Sequence, residues 1–300
     1  MGQFLNRYVK NKTVKRTLEA VGTSVRVLTG TEAAGVRATV FPDDVYLTSY
    51  PRSGNTWTRF LLGNLLDPDD PVSFINVESR VPEIYFNSDH VLRGLPRPRL
   101  LKSHEPFHPN YPRIIYIVRD PRDVAVSYYH HNIKAGMIGD NYPMDEFIPR
   151  FIAAEFDSPW GSWADNVMSW VAMRQGRSTF LLLRYEDMKE DTARELLKVA
   201  QFLQEAGFNI TTSSERLDRA IELSTPERMR ILEQQQSRLH RQLGRTRQDK
   251  PFIRSAKTGG WQTDLSQRSV GLIESEWGSI MQSLGYTLSR TLQEAEVRRQ

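Results

Sequence analysis

The sequence predicts an α/β fold: a single domain with a central, mostly parallel sheet flanked by helices. Three observations lead there. From Asp44 onward, short β-rich runs alternate with segments of helical periodicity, the pattern of repeated strand–helix–strand units. Two of the runs lead through proline-bearing turns into helices, at residues 51–55 and 119–121. The chain has 300 residues, 39% hydrophobic and 25% charged, so it is an ordinary globular chain that can bury a sizeable core. Length alone would admit two domains, but α/β domains of this size are often single.

Residues 1–37 read as a basic helical extension. They carry Arg7, Lys10, Lys12, Lys15, Arg16, Arg26 and Arg37 against Glu19 and Glu32, and Val14, Leu18, Val21 and Val25 fall at helical spacing. Such a face suits weak contact with an anionic membrane surface or partner. A solvated helix packed on the main domain accounts for the same pattern and is preferred. Gly2 does not open a myristoylation motif, because position 6 is Asn.

The main domain is expected over 38–290. Val45–Ser49 reads as a strand, followed by a helix over Asn55–Leu66 that Asp67-Pro68 stops. Residues 99–102 and 114–118 read as strands. Pro121 suits the first position of a helix reaching about Lys134. Residues 180–183 form a further strand, and 191–206 a helix with Gly207 as its stop. The polar, basic stretch 234–250 is expected as a mobile surface segment. The last turns are helical before a charged tail at 291–300. No internal repeat or long low-complexity segment occurs.

Composition narrows the function classes. The absence of cysteine excludes disulfides, thiolate metal sites and cysteine nucleophiles, and suits a reducing compartment. No apolar run approaches the ~20 residues a membrane-spanning helix needs, and the N-terminus lacks a secretory apolar segment. A cytoplasmic protein is expected. The net charge of +4 favours anionic ligands mildly and is too small to argue for nucleic acid.

Two stretches carry chemistry. In the first, the strand ending at Ser49 leads into Pro51-Arg52-Ser53-Gly54, and a helix opens near Asn55. Unpaired N–H groups and the helix dipole make such a junction an anion cradle. Gly54 permits close backbone approach. Ser53, Asn55 and Thr56 add donors, and Arg52 adds fixed charge. An ordinary capped strand–helix turn would look similar. The Gly-x-x-x-x-Gly-Lys-Ser/Thr pattern of triphosphate-binding loops is absent, which weakens a nucleotide-kinase reading. In the second stretch, Arg119 sits at the carboxyl end of a strand, where α/β sheets bind ligands. Pro121 then starts a helix that carries Ser127. Pairing of Arg119 with Asp120 or Asp123 is the plain alternative.

Tyr50-Pro-Arg-Ser-Gly-Asn-Thr-Trp57 resembles the 5′-phosphosulfate loop of the cytosolic sulfotransferase family, and Arg119–Ser127 resembles its 3′-phosphate segment. The two in this order are more specific than either alone. The stretches Leu100–Pro106, Met144–Phe147, Gly161–Val167 with Trp170, Leu183–Lys189, Phe252–Arg254 and Gly259–Trp261 extend the resemblance over roughly residues 40–290. It implies a P-loop NTPase-like fold and transfer of a sulfuryl group from 3′-phosphoadenosine 5′-phosphosulfate (PAPS) to a hydroxyl-bearing acceptor, with the bisphosphate PAP as product. The alternatives are a nucleotide kinase and a non-catalytic protein that holds PAP or a sulfated ligand.

The resemblance also implies roles. His104 is the candidate general base, since an imidazole titrates near ambient pH. His90, His108, His130, His131 and His240 are assigned structural places. Lys102 and Arg52 are the candidate electrostatic stabilisers, so no metal is required. The family more often has lysine at position 52. An arginine stays ionised and cannot donate a proton usefully. Trp57 would stack on adenine or pack in the core. Arg119, Ser127 and Arg254 would hold the 3′-phosphate through charge-assisted bonds. Tyr185 aligns with a nucleotide contact, and Ser224 or Thr225 with another. The family's Arg-Lys-Gly in the late loop reads Arg254-Ser255-Ala256 here, with Lys257 close by as a substitute. Gln262 and Gly271 replace charges of the family's dimerisation pattern, so no oligomeric state is assigned. The acceptor would sit among residues 67–98, 132–165 and 232–253. There Phe74, Tyr85, Phe86, Tyr142, Phe147 and Trp160 could line an apolar pocket or belong to the core, and the basic segments would suit an anionic or glycan acceptor instead.

Overall fold

The computed structural model describes residues 32–289, apart from 157–158 and 241–242. The expected N-terminal helix and the charged tail lie outside the described residues. In chain order the main elements are β1 (Val45–Ser49), α1 (Asn55–Leu66), β2 (Leu100–Ser103), β3 (Arg113–Val118), α2 (Pro121–Ala135), α3 (Met144–Ile152), α4 (Trp163–Arg174), β4 (Phe180–Arg184), α5 (Tyr185–Glu190), α6 (Thr192–Glu205), α7 (Ser214–Leu223), α8 (Pro226–Gln236) and α9 (Gln267–Ser283).

The strands form one parallel sheet in the order β2-β1-β3-β4. Strand side chains alternate between faces, and the two faces feed two cores. Tyr46, Leu101, Ile114, Tyr116 and Val118 meet α2, α3, α4 and α9 on one side. Val45, Leu47, Leu100, Ile115, Ile117 and Leu183 meet α1, α6 and α7 on the other. Both faces are therefore covered, as an all-parallel sheet requires. A smaller core under α1 joins Phe60, Val72, Phe74, Val77, Met229 and Leu243.

This order creates the site. β1 is followed by β2 on one side, whereas β3 is followed by β4 on the other. The crevice at their carboxyl ends is thus a topological switch point, where open α/β sheets bind ligands. Both phosphate-type turns open onto it.

Local chemistry fixes the helix that bounds the crevice. Asp120 caps α2 by accepting from the Arg122 N–H, Pro121 stands at the first turn, and Gly136 ends the helix with φ +72°. At the amino ends of β1 and β2, Arg99 and Asp44 form a fully buried ion pair at 2.5 Å. Arg99 lies just before β2, which begins at Leu100, one residue later than expected, and includes Ser103. β3 begins one residue earlier than expected, at Arg113, and α6 runs over Thr192–Glu205.

The stretch 234–250, expected as a mobile surface segment, packs into the domain. Leu243 is buried, and the Lys134 ammonium donates to the carbonyls of Arg247 (2.9 Å) and Lys250 (2.6 Å). Its polar side chains bond internally as well: the Ser237 hydroxyl donates to Gln248 at 2.8 Å, and the Gln248 amide donates to the carbonyls of Leu243 and Thr246.

Candidate active site

The cradle after β1 is built from backbone. Arg52 has φ +71° and Gly54 φ +99°, and Gly54 stands at the N-cap of α1 without any side-chain cap. The first-turn N–H groups of α1 are left to an external acceptor. A Cβ on Gly54 would lie 2.4 Å from the Tyr185 ring, so only glycine fits. Arg52, Gly54, Asn55, Thr56 and Trp57 line a cavity of about 300 Å³. Asn55 donates to the Ser49 hydroxyl at 3.2 Å. Ser53 is buried behind the cradle, and its hydroxyl has no partner among the described residues.

Three arginines converge here. The Arg52 Nε donates to the Ser127 hydroxyl at 3.3 Å, and its guanidinium lies 4.6 Å over Phe252. Burial, and then the neighbouring Arg119 charge, pull the Arg52 pKa down to about 10. It remains a cation at neutral pH. Arg119 donates to the carbonyls of Arg52 (3.3 Å) and Lys257 (3.0 Å) and covers the Tyr185 ring at 4.5 Å. Its Nε is buried and without a partner among the described residues. Arg254 lines the same cavity and pairs with Asp264 at 3.1 Å. Two like charges held together with unused donors suit an anion with more than one phosphate-type group.

The late loop is pinned beside them. Asp123 accepts the N–H groups of Gly259 (2.8 Å) and Trp261 (3.0 Å) and lies 3.7 Å from Arg119. Asp120 instead pairs with Arg122 at 2.6 Å. Ser255 and Ala256 reach the cavity, Ala256 with φ +53°. Lys257 offers its carbonyl to Arg119, and its side chain is not among the cavity walls.

Trp57 and Tyr185 stand edge to face at 5.7 Å, with the Lys189 ammonium 4.9 Å over the indole. The Trp57 N–H donates to the Ser224 carbonyl at 3.0 Å. Ser224 and Thr225 do not enter the cavity. The Ser224 hydroxyl accepts from Asn64 and donates to the Ala220 carbonyl, and Thr225 caps α8. Ser224 therefore reaches the site only through its backbone.

His104 follows β2, beside the cradle. Its Nδ1 lies 2.7 Å from the Ser49 carbonyl oxygen, which can only accept. Nδ1 therefore carries the proton, and Nε2 carries the lone pair. Burial, and then the Lys102 charge, hold its pKa well below the ordinary value of 6.5. The ring is a neutral base of fixed tautomer. The Trp160 ring lies 5.3 Å away.

Lys102 is itself buried and bound to Glu83 at 2.6 Å. Burial lowers its pKa, and Glu83 opposes that shift. Glu83 lies 3.8 Å from Arg59, which pairs with Glu78 at 2.6 Å. Glu83 lines the cavity, and sequence reasoning did not single it out. A lone Glu between Pro82 and Ile84 has no spacing that announces a site. His130 and His131 also line the cavity instead of holding purely structural places, whereas His90, His108 and His240 do not. Of the six aromatic side chains considered for the acceptor, Trp160 alone is a cavity wall among the described residues.

Among the described residues, no group of three or more His, Asp or Glu is placed to hold a metal ion, and no helix is long and apolar enough to cross a membrane.

Comparison with known proteins places this architecture. A sulfotransferase domain model matches residues 42–283. Sulfotransferase 1B1 of the dog, Canis lupus familiaris, is 33% identical over 205 residues, covering 63% of this chain and 67% of that one. The chain spans between 50% and 79% of the length of curated relatives of this kind. A crystal structure of retinol dehydratase in a complex with retinol and PAP is similar at a TM-score of 0.69, with 21% identity over 83% of this chain and 84% of that one. Mouse sulfotransferase SULT7A1 complexed with PAP gives a TM-score of 0.64, with 20% identity over 88% and 93%. The chain therefore belongs to the sulfotransferase family, the PAPS-dependent transferases of P-loop-like fold.

Proposed function

We propose that this chain sulfates a hydroxyl of its acceptor with PAPS as donor, using His104 as the general base. The observation that carries the assignment is the 2.7 Å contact from the His104 Nδ1 to the Ser49 carbonyl. It leaves Nε2 as an unprotonated acceptor beside two cations.

The donor set fits PAPS. The cradle over residues 52–56 suits a 5′-phosphosulfate, with its capless helix N-terminus and a glycine that tolerates no Cβ. The unpartnered Nε of Arg119, with Ser127 and Arg254 nearby, suits a 3′-phosphate. Trp57 and Tyr185 give the base an aromatic wall. When bound, PAPS supplies an activated sulfuryl group whose bond to the 5′-phosphate oxygen breaks as the acceptor oxygen bonds to sulfur.

The chain does the rest. His104 Nε2 takes the acceptor proton, which contributes on the order of 10²–10⁴-fold in rate. Lys102 has three N–H donors, of which Glu83 takes one, so two remain for anionic oxygens. Arg52 adds a second cation at the cradle. Charge aimed at the sulfuryl oxygens and the bridging oxygen lowers the barrier, by the same logic as phosphoryl transfer. These side chains supply the positive charge themselves. The lack of cysteine and the family both support a cytoplasmic setting.

Calorimetry tests the reading first. PAP should bind at micromolar concentration or below without metal, and ATP with Mg²⁺ much more weakly. Binding of ATP with Mg²⁺ but not PAP would replace this function with a nucleotide kinase. PAP binding without transfer to any hydroxyl would leave a PAP-holding protein.

A further inference from the structure

We propose that Arg59 is a positioning residue for Lys102, and that it fixes the lysine relative to the donor cradle through Glu83 and Glu78. The inference rests on the sulfotransferase reading above and adds to its machinery Arg59 and Glu78, neither of which lines the cavity. Arg59 lies on α1, one turn beyond Asn55, so it stands on the helix whose first turn forms the cradle. Backbone bonds bring Glu83 to Lys102. The Lys102 N–H donates to the Pro82 carbonyl at 2.8 Å, and the Ile84 N–H donates to the Lys102 carbonyl at 3.2 Å. Residues 83 and 102 are thereby partners in a parallel bridge on the outer edge of β2.

One carboxylate oxygen then serves two cations. The Glu83 Oε2 lies 2.6 Å from the Lys102 ammonium and 3.8 Å from the Arg59 guanidinium. Arg59 also fixes the segment that carries Glu83. Its Nε donates to the Val81 carbonyl at 2.9 Å, and its fork pairs with the Glu78 Oε1 at 2.6 Å. The Glu78 Oε2 accepts the Glu83 N–H at 2.9 Å and the Asn87 amide at 3.1 Å. Arg59 and Lys102 balance Glu78 and Glu83, so the cluster carries no net charge where charge is costly to bury. A lysine is a point charge on a flexible stem. Because Arg59 takes part of the Glu83 charge, the carboxylate anchors the ammonium without drawing it out of the cavity that it lines. A misplacement of about 1 Å costs on the order of a hundredfold in rate. Burial lowers the Lys102 pKa, Glu83 opposes that shift, Arg59 adds to it and Glu78 opposes it. His104 and His240 also face the cluster, and burial lowers both, so neither is charged in the alkaline range where Lys102 titrates.

The test titrates Lys102 itself. In the full chain with lysines carbon-13 labelled at Cε, NMR follows the Lys102 signal, assigned by its loss in Lys102→Met. Arg59→Met leaves Glu83 to Lys102 alone, so the ammonium should give up its proton at higher pH than in wild type. Glu78→Gln leaves both cations to Glu83, so the proton should leave at lower pH. Arg59→Lys keeps the charge and should titrate close to wild type. A merely structural role would lower Tm in these variants without moving the lysine in opposite directions. Turnover is read as PAP released from PAPS, with 2-naphthol as the acceptor probe and with water alone. In Arg59→Met kcat should fall about tenfold or more while KM for PAPS changes by less than about threefold, and Arg59→Lys should recover part of the loss. Shifts of the same sign in Arg59→Met and Glu78→Gln, or a kcat within about twofold of wild type in Arg59→Met, would overturn the proposal. If Arg59→Met does not fold, Glu78→Gln decides by its own shift, and an unmoved or raised titration overturns the proposal. Undiminished turnover in Lys102→Met would remove Lys102 from the reaction and the proposal with it. A wild-type chain that binds no PAP by calorimetry, or releases none from PAPS, would overturn the underlying sulfotransferase reading, and these wild-type measurements tell that failure from a failure of Arg59.

Discussion

The imidazole of His104 donates from Nδ1 to the carbonyl of Ser49, the last residue of the neighbouring strand, at 2.7 Å. A strand-end carbonyl thus sets the tautomer of the candidate base, and sheet geometry fixes its direction. Replacing His104 by Ala should lower turnover by at least about a hundredfold while leaving PAP affinity within twofold. Full turnover in the variant removes His104 from the mechanism.

The same bond has a pH consequence. For His104 as the proposed base the reactive form is the neutral ring, and burial with Lys102 nearby holds its pKa well below 6.5. The acid limb of kcat/KM should therefore lie well below pH 6.5, and the rate should be nearly flat between pH 7 and 6. A half-loss at 6.5 would mean an ordinary, solvated histidine.

Lys102 and Glu83 predict the alkaline side. Burial lowers the Lys102 pKa and Glu83 counteracts it. In Glu83→Gln that support is lost, so the ammonium gives up its proton at lower pH. The alkaline limb of kcat should move toward neutrality relative to wild type, whereas Lys102→Met should cost on the order of 10²–10³ in kcat at every pH. An unshifted alkaline limb in Glu83→Gln would separate this pair from catalysis.

Gly54 meets Tyr185. Alanine there brings a Cβ to 2.4 Å from the ring in a left-handed conformation. Gly54→Ala should weaken PAP binding more than tenfold and lower Tm. Adding Tyr185→Ala relieves the contact but not the φ strain of about 1–2 kcal/mol. The double variant should therefore recover only part of the Tm, and complete recovery would show that strain is unimportant.

Buried neutral histidines also tie stability to pH. His131 has a folded pKa of about 3 against an ordinary 6.5. Below pH 6.5 the unfolded ring takes up a proton and the folded ring does not, so unfolding is favoured as pH falls from 6.5 toward 3. Tm should drop between pH 7 and 5, and the slope should be shallower in His131→Phe. Equal slopes would place the proton uptake elsewhere.

Much of this was legible in the residues. The runs at 45–49 and 114–118 announce parallel strands because both faces are apolar, and Pro51–Gly54 and Asp120-Pro121 mark the turns that open onto the ligand crevice. Arg52, Lys102, His104, Arg119 and Arg254 share one cavity, as expected from their place in the motifs. What stayed hidden depends on contacts between distant segments. Glu83 gains meaning only through Lys102 and Arg59, and Asp123 only through the N–H groups of Gly259 and Trp261. Ser224 sits in the right neighbourhood, but Asn64 and Ala220 already occupy its hydroxyl. His131 looks like one of two adjacent histidines in a helix, and the helical face alone decides which wall it joins.

The cavity is closed by residues 51–57 near one end of the domain and residues 251–256 near the other. A ribosome adds about 5–20 residues per second, so the cradle emerges many seconds before the loop that completes it. The contacts of Arg52 with the Phe252 face and of Arg119 with the Lys257 carbonyl therefore wait for that late loop. The four strands all precede residues 251–256, so the last walls of the donor pocket are made after the whole sheet.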